Sequence, residues 1–285
     1  MLTNDQISSF HENGFLIVEN AVTRNQLKKL STEFESWVET SRGESAPFGV
    51  TLDHRPRFDL EPGHSAEKPA LRRVSSPVEI SLAYQDVMSN SVMLDAVAEL
   101  IGPNVKFHHS KINSKLPGAK TAVKFHQDFL FTPHSNDSLI TALLFIDDVT
   151  MDNGPLEVVP GSHKGPLHQL WHDGVFTGAV SDDALASIQQ QIISCTGPAG
   201  AVCLMHTRLL HGSAPNRSDQ SRTLFICVYS SADSQPLSPN PVPNEFDQHI
   251  VRGKASDQIR CVNYQMIRPE LPTGASFFNQ QAEAK

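Results

Sequence analysis

The sequence predicts a mainly β protein with flanking helices (α+β), a jelly roll whose two sheets close over a cavity. Three observations point there. From Val105 to Ser230 the chain runs in short apolar or alternating segments separated by Gly, Pro, Asn and Asp, the texture of a sandwich or barrel. Before Val105, three helical patterns carry their own start and stop signals and would pack outside the sheets. No repeat, low-complexity tract or linker interrupts the 285 residues, so one catalytic domain is expected over 1–285.

In chain order, Thr3-x-x-Gln6 makes a capping box, Ile7 and Phe10 share a helical face, and Gly14 ends that helix before a short strand, Phe15 to Val18. A second box, Thr23-x-x-Gln26, opens a longer helix with Leu27, Leu30, Phe34, Trp37 and Val38 on its buried side. Residues 41–80 are rich in Gly, Pro and charge and hold the one notable basic cluster, Arg55, Arg57, Lys68, Arg72 and Arg73. They read as a solvated loop, with a lid over an active site as the alternative. A third helix is expected over Ser91 to Ile101, stopped by Gly102-Pro103. Strands are expected at Val105–Asn113, Ala122–Asp128, Ser138–Val149, Leu156–Val159, Ile192–Cys195, Ala201–His206 and Arg222–Ser230, interrupted by a helix-like segment, Asp182 to Gln191. The chain thus divides into 1–104 (helices, first strand and loop), 105–231 (the jelly-roll core) and 232–285 (a C-terminal extension).

A formal net charge of −8 disfavours nucleic acid and anionic membranes as partners. The four Cys form no C-x-x-C pair, so neither disulfides nor a Cys-based zinc site is expected. Without a signal peptide or an apolar run of spanning length, the expected location is the cytoplasm.

The chemistry is expected around Lys124-Phe125-His126-Gln127-Asp128-Phe129. Residues i and i+2 of a strand share a face, so His126 and Asp128 project together. A third ligand should come from far along the chain, and His211 is the best candidate; two His and one carboxylate leave positions open, as suits non-haem Fe(II) oxygenases. Eleven residues later Arg222 opens an apolar strand, placed to reach inward and take a carboxylate bidentately. His206 with Arg217 has the same spacing, but Arg217 lies in an Asn-Arg-Ser-Asp turn facing water. Of the adjacent pair His108-His109, at most one can see the cavity.

These pieces resemble the phytanoyl-CoA dioxygenase family of Fe(II)- and 2-oxoglutarate-dependent oxygenases, which are cupin-like. The matching segments are His126-Gln127-Asp128, the run from Asn153 to Lys164 ending Pro160-Gly161-Ser162-His163-Lys164, and His211-Gly212-Ser213 with Arg222. The opening from Asp5 to Val18 matches too, so the likeness spans roughly residues 3–231. It implies iron on His126, Asp128 and His211, and 2-oxoglutarate chelating that iron with its distal carboxylate on Arg222, supported by Ser213. It further implies that Ser110 and a basic residue of Arg72-Arg73, with Arg73 favoured, contact the cosubstrate. His163 is read as structural. Leu144 stands where some relatives place an aromatic against the cosubstrate. The implied reaction consumes O2, converts 2-oxoglutarate to succinate and CO2, and hydroxylates a substrate; Asp128, being a carboxylate, disfavours halogenation.

A CoA thioester would call for a denser basic patch, so a smaller organic substrate is expected, an anionic one included. The segments expected to choose it are the 43–70 loop, Gly165 to Val180, and Gln235 to Val251. Competing readings are the same centre performing desaturation, epimerisation or ring formation, a non-catalytic jelly-roll binding protein, and a metal hydrolase. Oligomeric state is not encoded in any motif.

Overall fold

The structure is a computed structural model and describes residues 1–117, 119, 121–271 and 274. Both capping boxes form. Thr3 Oγ1 accepts from Gln6 N at 3.2 Å while Gln6 Oε1 accepts from Thr3 N at 2.9 Å, starting α1 (Asn4–Asn13). β1 (Phe15–Val18) follows, and Thr23 repeats the device at the head of α2 (Arg24–Ser41).

Residues 41–80 depart from the expected solvated loop. They contain β2 (Phe58–Leu60) and β3 (Leu71–Ser75), and their arginines are mostly buried. Arg57 donates to the carbonyls of Ser75 and Ser76 at 3.0 and 2.9 Å and pairs with Glu79 at 2.8 Å. Arg72 pairs with Asp59 at 2.7 Å. The charges that made the segment look solvated are internal partners of one another, which satisfies them when buried. An unexpected helix, α3 (Leu82–Ser89), follows, capped by Ser81, and then the expected α4 (Val92–Ile101).

The β-rich remainder comprises β4 (Val105–Lys115), β5 (Val123–His126), β6 (Leu139–Phe145), β7 (Leu156–Val158) and the small hairpin β8 (Trp171–His172) with β9 (Val175–Phe176). After α5 (Asp182–Ile188) come β10 (Ile193–Cys195), β11 (Val202–His206), β12 (His211–Ser213), β13 (Arg222–Ser231) and β14 (Ile250–Arg252). An eight-stranded sheet runs β1-β11-β6-β13-β4-β3-β2 with β14 added against β4, and a four-stranded sheet runs β10-β7-β12-β5. These are the two walls of a jelly roll.

Strand alternation gives the larger sheet an apolar cluster on each face. Ile112, Ile140, Ala142, Leu144, Phe225, Cys227 and Tyr229 face outward and pack with Leu30, Phe34, Tyr84 and Leu94 of the helices. Leu143, Phe145, Leu224 and Ile226 face inward and pack against Leu156 and Val158 of the smaller sheet. Leu144, expected to bear on the cosubstrate, is therefore a helix-facing core residue, and its neighbour Leu143 lines the cavity instead. Leu144→Ala should cost about 2–5 kcal/mol of unfolding free energy in a urea titration, with metal affinity of the folded protein unchanged.

Candidate active site

β5 and β12 are antiparallel neighbours, and His211 is the direct cross-strand partner of His126. Their rings approach to a centroid distance of 4.2 Å. Both are oriented by backbone carbonyls: His126 Nδ1 lies 2.8 Å from Lys124 O, and His211 Nδ1 lies 3.0 Å from Leu209 O. Each Nδ1 thus carries the proton and each Nε2 presents its lone pair inward. The two Nε2 atoms face Asp128 Oδ1 at 3.5 and 3.7 Å. The three ligand atoms all lie within 4.8 Å of one another, and no other such group occurs among the described residues.

The strand argument holds in a modified form. β5 ends at His126, and Asp128 begins a 3-10 turn, Asp128–Leu130. Gln127 between them stays extended at φ −120° and ψ 125°, so the i, i+2 relation survives the end of the ladder. Its side chain faces away, donating to Arg208 O at 2.7 Å and accepting from His168 N at 2.9 Å. The close pairing also needs Gly212, where a Cβ would stand 2.8 Å from both Phe125 Cδ2 and Val123 O.

Thr141 on β6 donates its hydroxyl to Asp128 Oδ2 at 2.7 Å, leaving Oδ1 toward the histidines. Its signal in the sequence is faint but real: it is the one polar residue in the apolar run Ile140–Ile146. Burial raises the Asp128 carboxyl, but His211, His126 and Lys111 outweigh it and hold the group well below the ordinary carboxylate range. Burial and His126 pull His211 down to about 4, so it stays a neutral donor at physiological pH. Two imidazoles turned inward through Nε2 and an ionised carboxylate, each fixed by a second hydrogen bond, fit an iron ion.

Two cavities meet at these ligands. The first, about 60 Å³, is lined by Arg222, Ser213, Lys115, Arg72, Thr141 and Leu143 beside the three ligands. Arg222 is 3% exposed and its Nε donates to Gly154 O at 2.9 Å; no ion pair engages it among the described residues. Gly154 is required there, since at φ +80° a Cβ would meet Ala214 O at 2.6 Å. Lys115, which the sequence reading passed over, donates to Ser213 Oγ at 2.7 Å and to Ala214 O. The second cavity, about 40 Å³, lies on the other side of His126 and Asp128 and is lined by Arg73, His109, Val228 and Val242.

The structure separates the remaining expected residues. Ser110 lines neither cavity: it lies on the Ile112 side of β4, fully buried, with no hydrogen-bond partner for its hydroxyl. Arg73 does not share the cavity of Arg222, whereas Arg72 does. A β-bulge explains this, because Leu60 pairs with Leu71 and Asp59 with Arg73, leaving Arg72 as the extra residue so that both arginines reach the interior. His206 stands apart from the cluster, its ring against His163, which contacts His11 O at 3.3 Å.

A family model, phytanoyl-CoA dioxygenase, matches residues 10–224. The chain belongs to the phytanoyl-CoA dioxygenase family. It is a non-haem Fe(II)- and 2-oxoglutarate-dependent dioxygenase with a jelly-roll core. Similar proteins include a probable alpha-ketoglutarate-dependent hypophosphite dioxygenase of Stutzerimonas stutzeri, 29% identical over 93% of this chain and 91% of that one. An ectoine dioxygenase of Bordetella bronchiseptica is 27% identical over 91% of this chain and 85% of its own. Among solved structures, EctD from S. alaskensis with bound Fe superposes with a TM-score of 0.66 at 19% identity, covering 91% of this chain and 87% of that one. In this dioxygenase, Thr141→Val should weaken Fe(II) binding about 10- to 100-fold, measured by anaerobic metal titration, with the fold retained by circular dichroism.

Proposed function

We propose that this dioxygenase hydroxylates an unactivated C–H bond of a small metabolite, with His126, Asp128 and His211 holding iron and the Arg222 cavity holding 2-oxoglutarate. The observation that carries the reading is the convergence in one cavity of the His-Asp-His donors with a buried cation, Arg222, which forms no ion pair among the described residues and feels Asp147 only from a distance. A metal hydrolase has no use for that arginine, and a mere binding shell has no reason to retain four costly inward polar groups.

Iron with 2-oxoglutarate supplies O2 activation coupled to decarboxylation, so that R–H, O2 and 2-oxoglutarate become R–OH, succinate and CO2. The chain's own groups organise this. Asp128 and the two imidazoles would hold the ion through one carboxylate oxygen and two Nε2 atoms and would leave positions free for the cosubstrate and O2. Arg222 takes the distal carboxylate, and Ser213, hydrogen-bonded to Lys115, stands beside it. Leu143, Leu156, Leu224 and Ile226 form apolar walls that keep water from the cosubstrate. Desaturation, epimerisation and ring closure would use the same residues. The relatives named for hypophosphite and ectoine support a small-molecule substrate. Three buried free cysteines and one exposed, with no disulfide among the described residues, support a cytoplasmic setting.

Anaerobic titration of the Fe(II) protein with 2-oxoglutarate tests the reading. A weak visible charge-transfer band should appear in the wild type and be lost or strongly weakened in Arg222→Ala; saturating 2-oxoglutarate without a band in iron-loaded wild type would refute it. The pH dependence is also set. Burial, then Arg222, pulls the Lys115 ammonium down to about 6, so the free enzyme carries it largely neutral at pH 7.5. A carboxylate bound nearby favours the charged form and raises that value, so binding takes up a proton. Affinity should be constant below about pH 6 and decline above it, by at most about tenfold per pH unit. Lys115→Met should flatten the profile.

A further inference from the structure

The inward-facing residues of β4 form a row, His109, Lys111, Asn113 and Lys115, that runs from the second cavity to the first, with Lys111 bordering both. Lys115 and Asn113 serve the cavity of Arg222. The other end of the row has a different makeup.

Arg73 is 3% exposed, its Nη1 has no hydrogen-bond partner among the described residues, and its Nε makes a long 3.4 Å bond to Ser75 Oγ. A guanidinium left so incompletely satisfied in a buried site is costly unless a ligand completes it. The ammonium of Lys111 points into the same space, and Asp128 is the one carboxylate on its walls, already committed to the histidines and Thr141. Phe131, Val228, Pro241 and Val242 close the remaining sides. At about 40 Å³ the cavity is somewhat smaller than that of Arg222. An uncharged substrate would leave the Arg73 guanidinium and the Lys111 ammonium facing each other.

We propose that the second cavity is the primary-substrate site and that its ligand is a compact oxyanion, a phosphorus oxyacid or a short carboxylate, gripped by Arg73 and Lys111 beside the metal. This rests on the assignment of iron and 2-oxoglutarate made above. Because the two cations adjoin the metal ligands, the hydrogen to be replaced lies within a bond or two of the anionic head. The stoichiometry is unchanged: one atom of O2 enters the substrate R–H as R–OH and the other enters succinate. The relative named for hypophosphite has a substrate of this chemical class, and the incompletely bonded guanidinium of Arg73 beside Lys111 favours an anion here.

The test is anaerobic calorimetry on the Fe(II)- and 2-oxoglutarate-loaded protein with methylphosphonate and acetate as anionic probes and acetamide as the neutral control. The charge-transfer band is monitored in parallel. At least one anion should bind without displacing 2-oxoglutarate, and acetamide should not bind; whichever anion binds more tightly distinguishes tetrahedral phosphorus from planar carboxylate. Arg73→Gln should weaken that binding about 10- to 100-fold while the 2-oxoglutarate titration is retained. Lys111→Met should weaken it similarly, and it provides the second reading should Arg73→Gln fail to fold. An intact band with neither anion bound, or with equal binding of acetamide, would overturn the substrate class alone. Displacement of 2-oxoglutarate by the anions would overturn it too, by assigning them to the Arg222 cavity. Absence of the band in wild type would bring down both this inference and the cosubstrate assignment.

Discussion

The antiparallel pairing that sets His211 opposite His126 is the constraint on which the rest of the site depends. Two imidazoles can share an ion only if their strands are neighbours in register and their rings turn the same way. The register comes from β5 and β12; the orientation comes from one backbone carbonyl behind each ring. The carboxylate arrives on the same chain segment two residues after His126 and is then tied by Thr141 to the opposite sheet. The donor set therefore stitches the two walls of the jelly roll together, as Lys115 and Ser213 do farther along the same cavity.

Charge inside the barrel is arranged around that stitch. Arg222 lies on one side and Arg73 on the other, each buried, each held down to about 10 mainly by burial and so still cationic at neutral pH. Neither forms an ion pair among the described residues, and Asp59 and Asp147 offset their charges only from a distance; buried cations so placed cost the fold stability until an anion completes them. The bulge at Arg72 lets a five-residue strand, paired between β2 and β4, deliver adjacent arginines to the interior, one toward each cavity. The outer face of the same sheet, by contrast, is mostly apolar and rests on the helices, so the scaffold is stabilised independently of the site it carries.

Much of this was legible in the sequence. The capping boxes at Thr3 and Thr23, the helix after Ser91 and the long strands β4, β6, β11 and β13 rest on local chemistry and periodicity, which need no knowledge of the fold. His126, Asp128, His211 and Arg222 were legible because inward polar residues within apolar strands are conspicuous. What escaped was decided at a distance. Arg57 and Arg72 looked solvated because their partners, Glu79 and Asp59, are brought to them by tertiary pairing. β12 is three residues long with a glycine at its centre and has no period to detect. The placements of Ser110, Arg73 and Leu144 turn on strand parity and a bulge, and a slip of one residue exchanges interior for helix-facing surface. Lys115 was hidden at the end of an 11-residue strand, where a lysine ordinarily marks the exit to solvent.

The most direct test of the account is a crystal structure of the protein grown anaerobically with Mn(II) in place of iron and with 2-oxoglutarate. The account predicts one anomalous peak at bonding distance from His126 Nε2, Asp128 Oδ1 and His211 Nε2, with the cosubstrate running from it to Arg222 and the Arg73 cavity left open. A metal bound elsewhere, or a cosubstrate whose distal carboxylate lies on Arg73, would contradict it.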